Sequence, residues 1–325
     1  MEKFLYDWGN FNSELEEELR LDYKKNVIWY HYTSPYGLEG ILKNRALWFT
    51  ESSMLNDDSE GRVILDCLWD CILDTKERVG DYLELDDDFI AAIHAFIFGI
   101  KNKYTNTFLK IKYKTRFRYF LCCFSSDNDN LELWNYYTKT SNSAGYNMGF
   151  NHRKLINELT DDANKFDKVE LFPFKVIYDY KIQDEIIKNA LKLCSDCWVR
   201  IETQMGKEII LNKLYMFLEF YKLAFKNKAY KNEKEVRIII KMSEEKFLKL
   251  LKESDLIKLN YSNNMFKPYI ECKYKDVNVV KSICVSPSVK DEHAIRSVNY
   301  LLDKYNYEKS KIESSLIPIA SSFFG

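Results

Sequence analysis

At 325 residues, with 46% hydrophobic residues and a net charge of −1, the chain is long enough for a sizeable core in one large domain or one domain with an insertion. It has no global basic field to draw it to nucleic acid. No run of about 18 apolar residues occurs, so no segment reads as a membrane span. Eight cysteines, and an opening segment whose Glu14 to Glu18 run is acidic where a signal peptide would be apolar, give the pattern of free thiols in a reducing cytoplasm.

Residues 1–25 read as an amphipathic helical arm, with Phe11, Leu15 and Leu19 on one face. Val27 to Tyr32 is aromatic and β-branched, a strand with His31 near its end, and Ser34-Pro35 breaks it. Leu38, Ile41 and Leu42 recur at helical spacing until Asn44-Arg45. Ala46 to Thr50 is a second strand, and Asn56 to Asp58 a polar turn. Ser59 to Val79 carries an apolar stripe from Val63 to Ile72 and reads as a helix, as does Asp86 to Lys112, with His94 on its apolar side as a core residue.

Arg118 to Ser125 is an apolar run of strand length, as in a buried central strand. A turn from Asp127 to Asn130 leads to a short helix, Leu131 to Thr138, then a strand, Gly145 to Phe150. His152 to Leu159 is a short helix whose first residue reads as a solvated end. Val169 to Tyr180 gives one or two strands around Pro173, and residues 181–228 a helical pair inserted between strands, a lid or partner surface. Cys194 and Cys197 lie there with metal or redox spacing but no second pair, so they read as packing thiols that bind no metal. Glu235 to Met242 returns to strand, and Ser243 caps a helix, Glu244 to Glu253. Strands follow at Leu256–Tyr261, Tyr269–Tyr274 and Val279–Ser286, then a helix, Asp291 to Asp303, and a tail from Ser310. Strands and helices alternate without βαβ regularity, which predicts an α+β fold on a mixed, split sheet with helical insertions.

The chemistry rests on few residues. There is no glycine-rich phosphate loop, HExxH or nucleophile elbow. Only four histidines occur, too few for a His-rich metal site. His31, Tyr137 and Glu235 remain. Glu233, Glu235 and Arg237 share one face of their strand, so Glu235 and Arg237 either pair at a strand edge or converge on a cleft. Trp134 and Tyr137 stand at i, i+3 on one side of a short helix, which also suits plain core packing.

Four blocks carry a resemblance. The stretch from Trp29, WYHYTS…GLEGILKNRALWFTESSMLND, is followed in order by CFSSDNDNLELWNYY…GYNMGF (Cys123 to Phe150), FKNKAYKNEKEVRIII (Phe225 to Ile240) and VKSICVSPSV (Val280 to Val289). Together they resemble the bacterial DUF2971 proteins. At its His and Glu blocks that family is similar to the ADP-ribosyltransferase superfamily, which binds NAD in a split sheet with a His-Tyr-Glu set. The resemblance implies one ADP-ribosyltransferase-like domain over residues 1–325 and NAD as substrate, without a metal. His31, with Tyr32 and Thr33, would hold the NAD ribose. Tyr137, or its rival Tyr136, would stack on nicotinamide. Glu235 would bind the ribose 2′-OH and stabilise the oxocarbenium-like transition state, with Arg237 holding it or touching a phosphate. The function implied is a cytoplasmic toxin or phage-defence effector that modifies a macromolecular acceptor, nucleic acid or protein, or consumes NAD, with an antitoxin or defence-system partner. Two readings of other classes stay open, a non-catalytic module that binds nucleic acid or protein through an aromatic cleft and a ligand-sensing regulator.

Overall fold

The computed structural model describes residues 1–19, 27–55, 61–77, 85–101, 117–138, 145–166, 169–262, 264–289, 292–307 and 309–318. Its helices are α1 (Glu2–Leu19), α2 (Pro35–Asn44), α3 (Arg62–Glu77), α4 (Asp87–Lys101), α5 (Leu131–Thr138), α6 (His152–Ala163), α7 (Tyr180–Trp198), α8 (Gln204–Tyr221), α9 (Glu244–Glu253) and α10 (Glu292–Tyr305). Its strands are β1 (Ile28–Thr33), β2 (Ala46–Glu51), β3 (Phe117–Ser125), β4 (Tyr146–Asn151), β5 (Glu170–Lys175), β6 (Glu235–Ser243), β7 (Ile257–Ser262), β8 (Met265–Lys273), β9 (Val280–Val285) and β10 (Lys311–Ser314). The polar turn Asn56 to Asp58 and residues 102–112 of the second predicted long helix lie outside the described residues.

The chain divides into two compact units. One comprises Met1–Arg20, Asn56–Arg116 and Val176–Lys231 and is helical. In it α7 packs against α1, α3 and α8. Trp8 meets Phe11 and Phe217 edge-on at 6.0 and 5.7 Å, and Phe89 meets Trp198 at 5.3 Å. Cys194 and Cys197 are free thiols in this unit. Burial pushes both up, Cys194 far more, with Arg200 opposing the rise at Cys197.

The other unit carries every described strand in one ten-stranded sheet. Its main order is β10-β9-β4-β1-β3-β2-β8-β7, with β6 on β3 and β5 on β6. β9 and β10 pair in parallel, and the remaining pairs are antiparallel, so the sheet is mixed. Pro173 lacks an amide hydrogen and sits on β5, which pairs with β6 alone among the described strands, the edge position at which a sheet tolerates proline. β7 and β8 join as a hairpin at Asn264, which has a left-handed φ of 59°. In the stretch predicted as a tail, Lys311–Ser314 pairs with β9 as β10.

Alternation gives the sheet two faces. Phe120, Cys122 and Phe124 of β3, with Val236, Ile238, Ile240 and Met242 of β6, join one core with Leu38 and Leu42 of α2 and Leu155 and Leu159 of α6. His152 corrects the expectation of a solvated helix end: it is fully buried. Its backbone N–H donates to the Val27 carbonyl at 3.2 Å, and its ring lies 5.1 Å from that of Trp29. A neighbouring strand covers the helix start, which spacing alone cannot report.

Candidate functional site

β3 organises the site. One edge pairs with β6 along its whole length, from Phe117↔Ser243 to Ser125↔Glu235. The other edge is shared: β2 takes it at Phe120 and Leu121, β1 at Ser125. Between these contacts the strands part. Alternate residues of a strand present their peptide groups to the same edge, so Cys123, midway between Leu121 and Ser125, faces the opening. His31 closes that point, its Nδ1 2.9 Å from the Cys123 carbonyl oxygen. A carbonyl only accepts, so Nδ1 carries the hydrogen, and in the neutral ring Nε2 is left as an acceptor. Burial lowers the His31 pKa and favours that neutral form, against the opposing pull of the Cys123 carbonyl.

Glu235 begins β6 in a row with Ser125 and Tyr30. Its position is fixed by a zipper of bonds to the backbone carbonyls just before it. Ser125 Oγ donates to the Glu233 carbonyl at 2.7 Å, Ser126 N–H to that of Lys234 at 3.0 Å, and Asn130 Nδ2 to that of Asn232 at 2.6 Å. Lys234 turns the chain into the strand at a left-handed φ of 45°, a strained conformation for a side-chain-bearing residue. Its ammonium lies 3.0 Å from Asp127 Oδ2. Burial tends to raise the Asp127 pKa, but the bond to Lys234 and the Asp129 N–H bring it below the usual carboxylate range.

Arg237 holds Glu235 through two parallel bonds, Nε to Oε1 at 2.8 Å and Nη2 to Oε2 at 2.9 Å, with both side chains buried. A bidentate pair is the arrangement that makes a desolvated carboxylate tolerable. Of the two readings the sequence left open, pairing or convergence on a cleft, the pairing of Glu235 with Arg237 is the one observed.

The remaining predicted residues are placed differently. Tyr32 is buried. Its hydroxyl donates to the Asp127 carbonyl at 2.9 Å and accepts from Asn130 N–H at 3.0 Å, and its ring meets Trp134 edge-on at 4.8 Å. It braces the turn. Thr33 is buried against Gly37, where a Cβ would come within 2.0 Å of its Oγ1. Tyr136 is exposed on α5, and the side chain of Tyr137 lies outside the described residues. The ladder sets Tyr30, Ser125 and Glu235 on one face and His31, with Trp29 and Thr33, on the other. His31 and Glu235 thus leave opposite faces of the sheet, with β3 lying between β1 and β6.

Sequence reasoning took the polar run from Asp127 to Asn130 as a turn and missed its part in the site. Asp129 accepts from the Trp134 indole at 2.8 Å, the Ser315 hydroxyl at 2.6 Å and the Leu316 N–H at 2.8 Å. Asn130 Oδ1 caps α5 by accepting from Glu132 and Leu133 N–H. Side chains that suit turns also suit bonding to distant backbone, and nothing local separates the two uses. Tyr30 was missed as well. It is half-buried over Gly149, where a Cβ would come within 3.2 Å of its ring, and burial, then Glu313 and Asp127, raises its pKa. Among the described residues no three His, Cys, Asp or Glu side chains gather as metal ligands would, and no helix is long and apolar enough to cross a membrane.

The fold defines a mixed α/β protein with a mixed open sheet. Residues 133–238 match the family model described as "Protein of unknown function (DUF2971)", which supports the assignment to that family. The matched segment takes in Glu235 and Arg237 but not His31. No curated protein matches the chain, and no solved structure does.

Proposed function

We infer that the chain is an ADP-ribosyltransferase-like bacterial effector, a toxin or phage-defence protein, that uses NAD to modify a macromolecule or hydrolyses it. One observation carries the reading: a buried carboxylate, Glu235, is held by Arg237 at the head of β6, one strand away from the point on β3 that His31 closes. A preorganised carboxylate suits a positive charge that develops as nicotinamide leaves the ribose. The acceptor Nε2 of His31 suits a ribose hydroxyl. NAD is the substrate, no metal is needed, and the protein acts in the cytoplasm.

The test is nicotinamide release and calorimetry with NAD, with total cellular RNA, DNA and protein offered as acceptors. Glu235→Gln keeps the shape and removes the charge. It should leave NAD binding largely intact and lower release by roughly 10²–10³-fold, and relieve toxicity if expression is toxic. His31→Ala should mainly weaken binding. A folded sample that binds no NAD at millimolar concentration sinks the reading.

A second reading, a non-catalytic binding module for nucleic acid or protein, draws on the same pair. Arg237 already occupies both Glu235 oxygens, as a purely structural ion pair would. Unchanged ligand binding by the Glu235→Gln, Arg237→Met double variant would favour it.

A further inference from the structure

We propose that Trp48, paired with Tyr269 beside the opening between β1 and β2, is the platform on which the planar heterocycle of a nucleotide stacks. β2 meets β3 only at Thr50 and Glu51, so Ala46 to Phe49 run free of it along the opening. Leu47 and Phe49 point to the core. Alternation sends Trp48 and Thr50 to the face that carries Tyr30, Ser125 and Glu235. Thr50 pairs with Tyr269, and Trp48 with Glu271. The Trp48 and Tyr269 rings lie 4.3 Å apart with planes 31° from parallel.

Trp48 is 45% exposed, whereas Trp29 and Trp134 of the same unit are 1% and 2% exposed. Leaving so large a ring in water forgoes its burial energy. Two aromatic rings on adjacent antiparallel strands of an open sheet face are the means by which sheets stack nucleobases. The flanking charges do not repel a nucleotide, because Lys258, opposite Tyr269, is paired with Glu271. This platform on β2 supplies an aromatic surface at the opening itself, where the sequence suggested the helix tyrosines.

The inference rests on the NAD reading only for the choice of ligand. Calorimetry on the full chain, with NAD, AMP and nicotinamide mononucleotide in separate titrations, tests it. Trp48→Ala should weaken binding about 5- to 150-fold, the range for losing one stacked base. Trp48→Tyr should restore most of it, and the two mononucleotide arms show which ring is stacked. The intrinsic fluorescence of the wild type should be quenched on binding, and the quench should vanish in Trp48→Tyr. NAD binding as tight in Trp48→Ala as in the wild type overturns the platform and leaves the NAD reading standing. Trp48-dependent binding of AMP or nicotinamide mononucleotide without NAD binding upholds the platform and removes that reading. Binding of none of the three overturns both.

Discussion

The two faces of β3 and β6 differ in what their side chains do. One carries Phe120, Cys122 and Phe124 against Val236, Ile238, Ile240 and Met242, all in the core. The other carries Ser125, Cys123 and Leu121 opposite Glu235, Arg237 and Ile239. Apolar burial needs no partner geometry, so the first face holds the fold together through area alone. On the second, each buried polar group must find a matched partner or cost stability. Glu235 finds Arg237, and Ser125 finds the Glu233 carbonyl. The faces therefore respond to mutation through different physics even where the size of the effect is the same.

The largest effects expose that difference. Phe124 packs on Trp29, His31 and Phe150 at 5.8, 5.6 and 6.0 Å, and Phe124→Ala should cost about 3–5 kcal/mol in urea denaturation. Arg237→Met should cost about the same, because it strands a buried carboxylate. Adding Glu235→Gln to Arg237→Met should recover much of that loss, whereas adding it to Phe124→Ala should deepen the loss, because the buried Arg237 then lacks its carboxylate. Equal behaviour of the two double variants would erase the distinction between the faces.

A smaller effect concerns His31, which bridges the opening. Its folded pKa lies below its ordinary value of 6.5. As pH falls below 6.5 the unfolded chain takes up a proton that the folded imidazole refuses, so stability is lost toward acid until the folded pKa is reached. One such site contributes at most about 1.4 kcal/mol per pH unit. Denaturation at pH 7.5 and 5.5 should show a steeper loss for the wild type than for His31→Asn. Parallel losses would mean that the imidazole is not held neutral.

The smallest effect belongs to the open aromatic pair. Trp48→Ala should change stability by no more than about 1 kcal/mol, the range for a cross-strand pair, in the same denaturation assay. A loss of the Phe124 size would make Trp48 a core residue and remove the reason to assign it a ligand.

Much of this chain is local in origin. The β-branched and aromatic runs at Val27 to Tyr32 and Glu235 to Met242 lie in strands, and Ser243 accepts from Lys246 N–H as the cap of α9. The i, i+2 spacing that set Glu235 and Arg237 on one face brought them into contact, because strand alternation is a property of the backbone alone. Other features depend on which strands become neighbours. His152 is buried by a strand far away in sequence, and the stretch from Lys311 becomes a strand because β9 offers it an edge. The parting of β1 and β2 on one edge of β3 involves segments about 70 residues or more from β3 in the chain, and it alone brings His31 to the Cys123 carbonyl and leaves Trp48 in solvent. Periodicity specifies the face of a strand on which a residue stands. Pairing between distant segments decides what that face meets, and only the folded sheet contains that information.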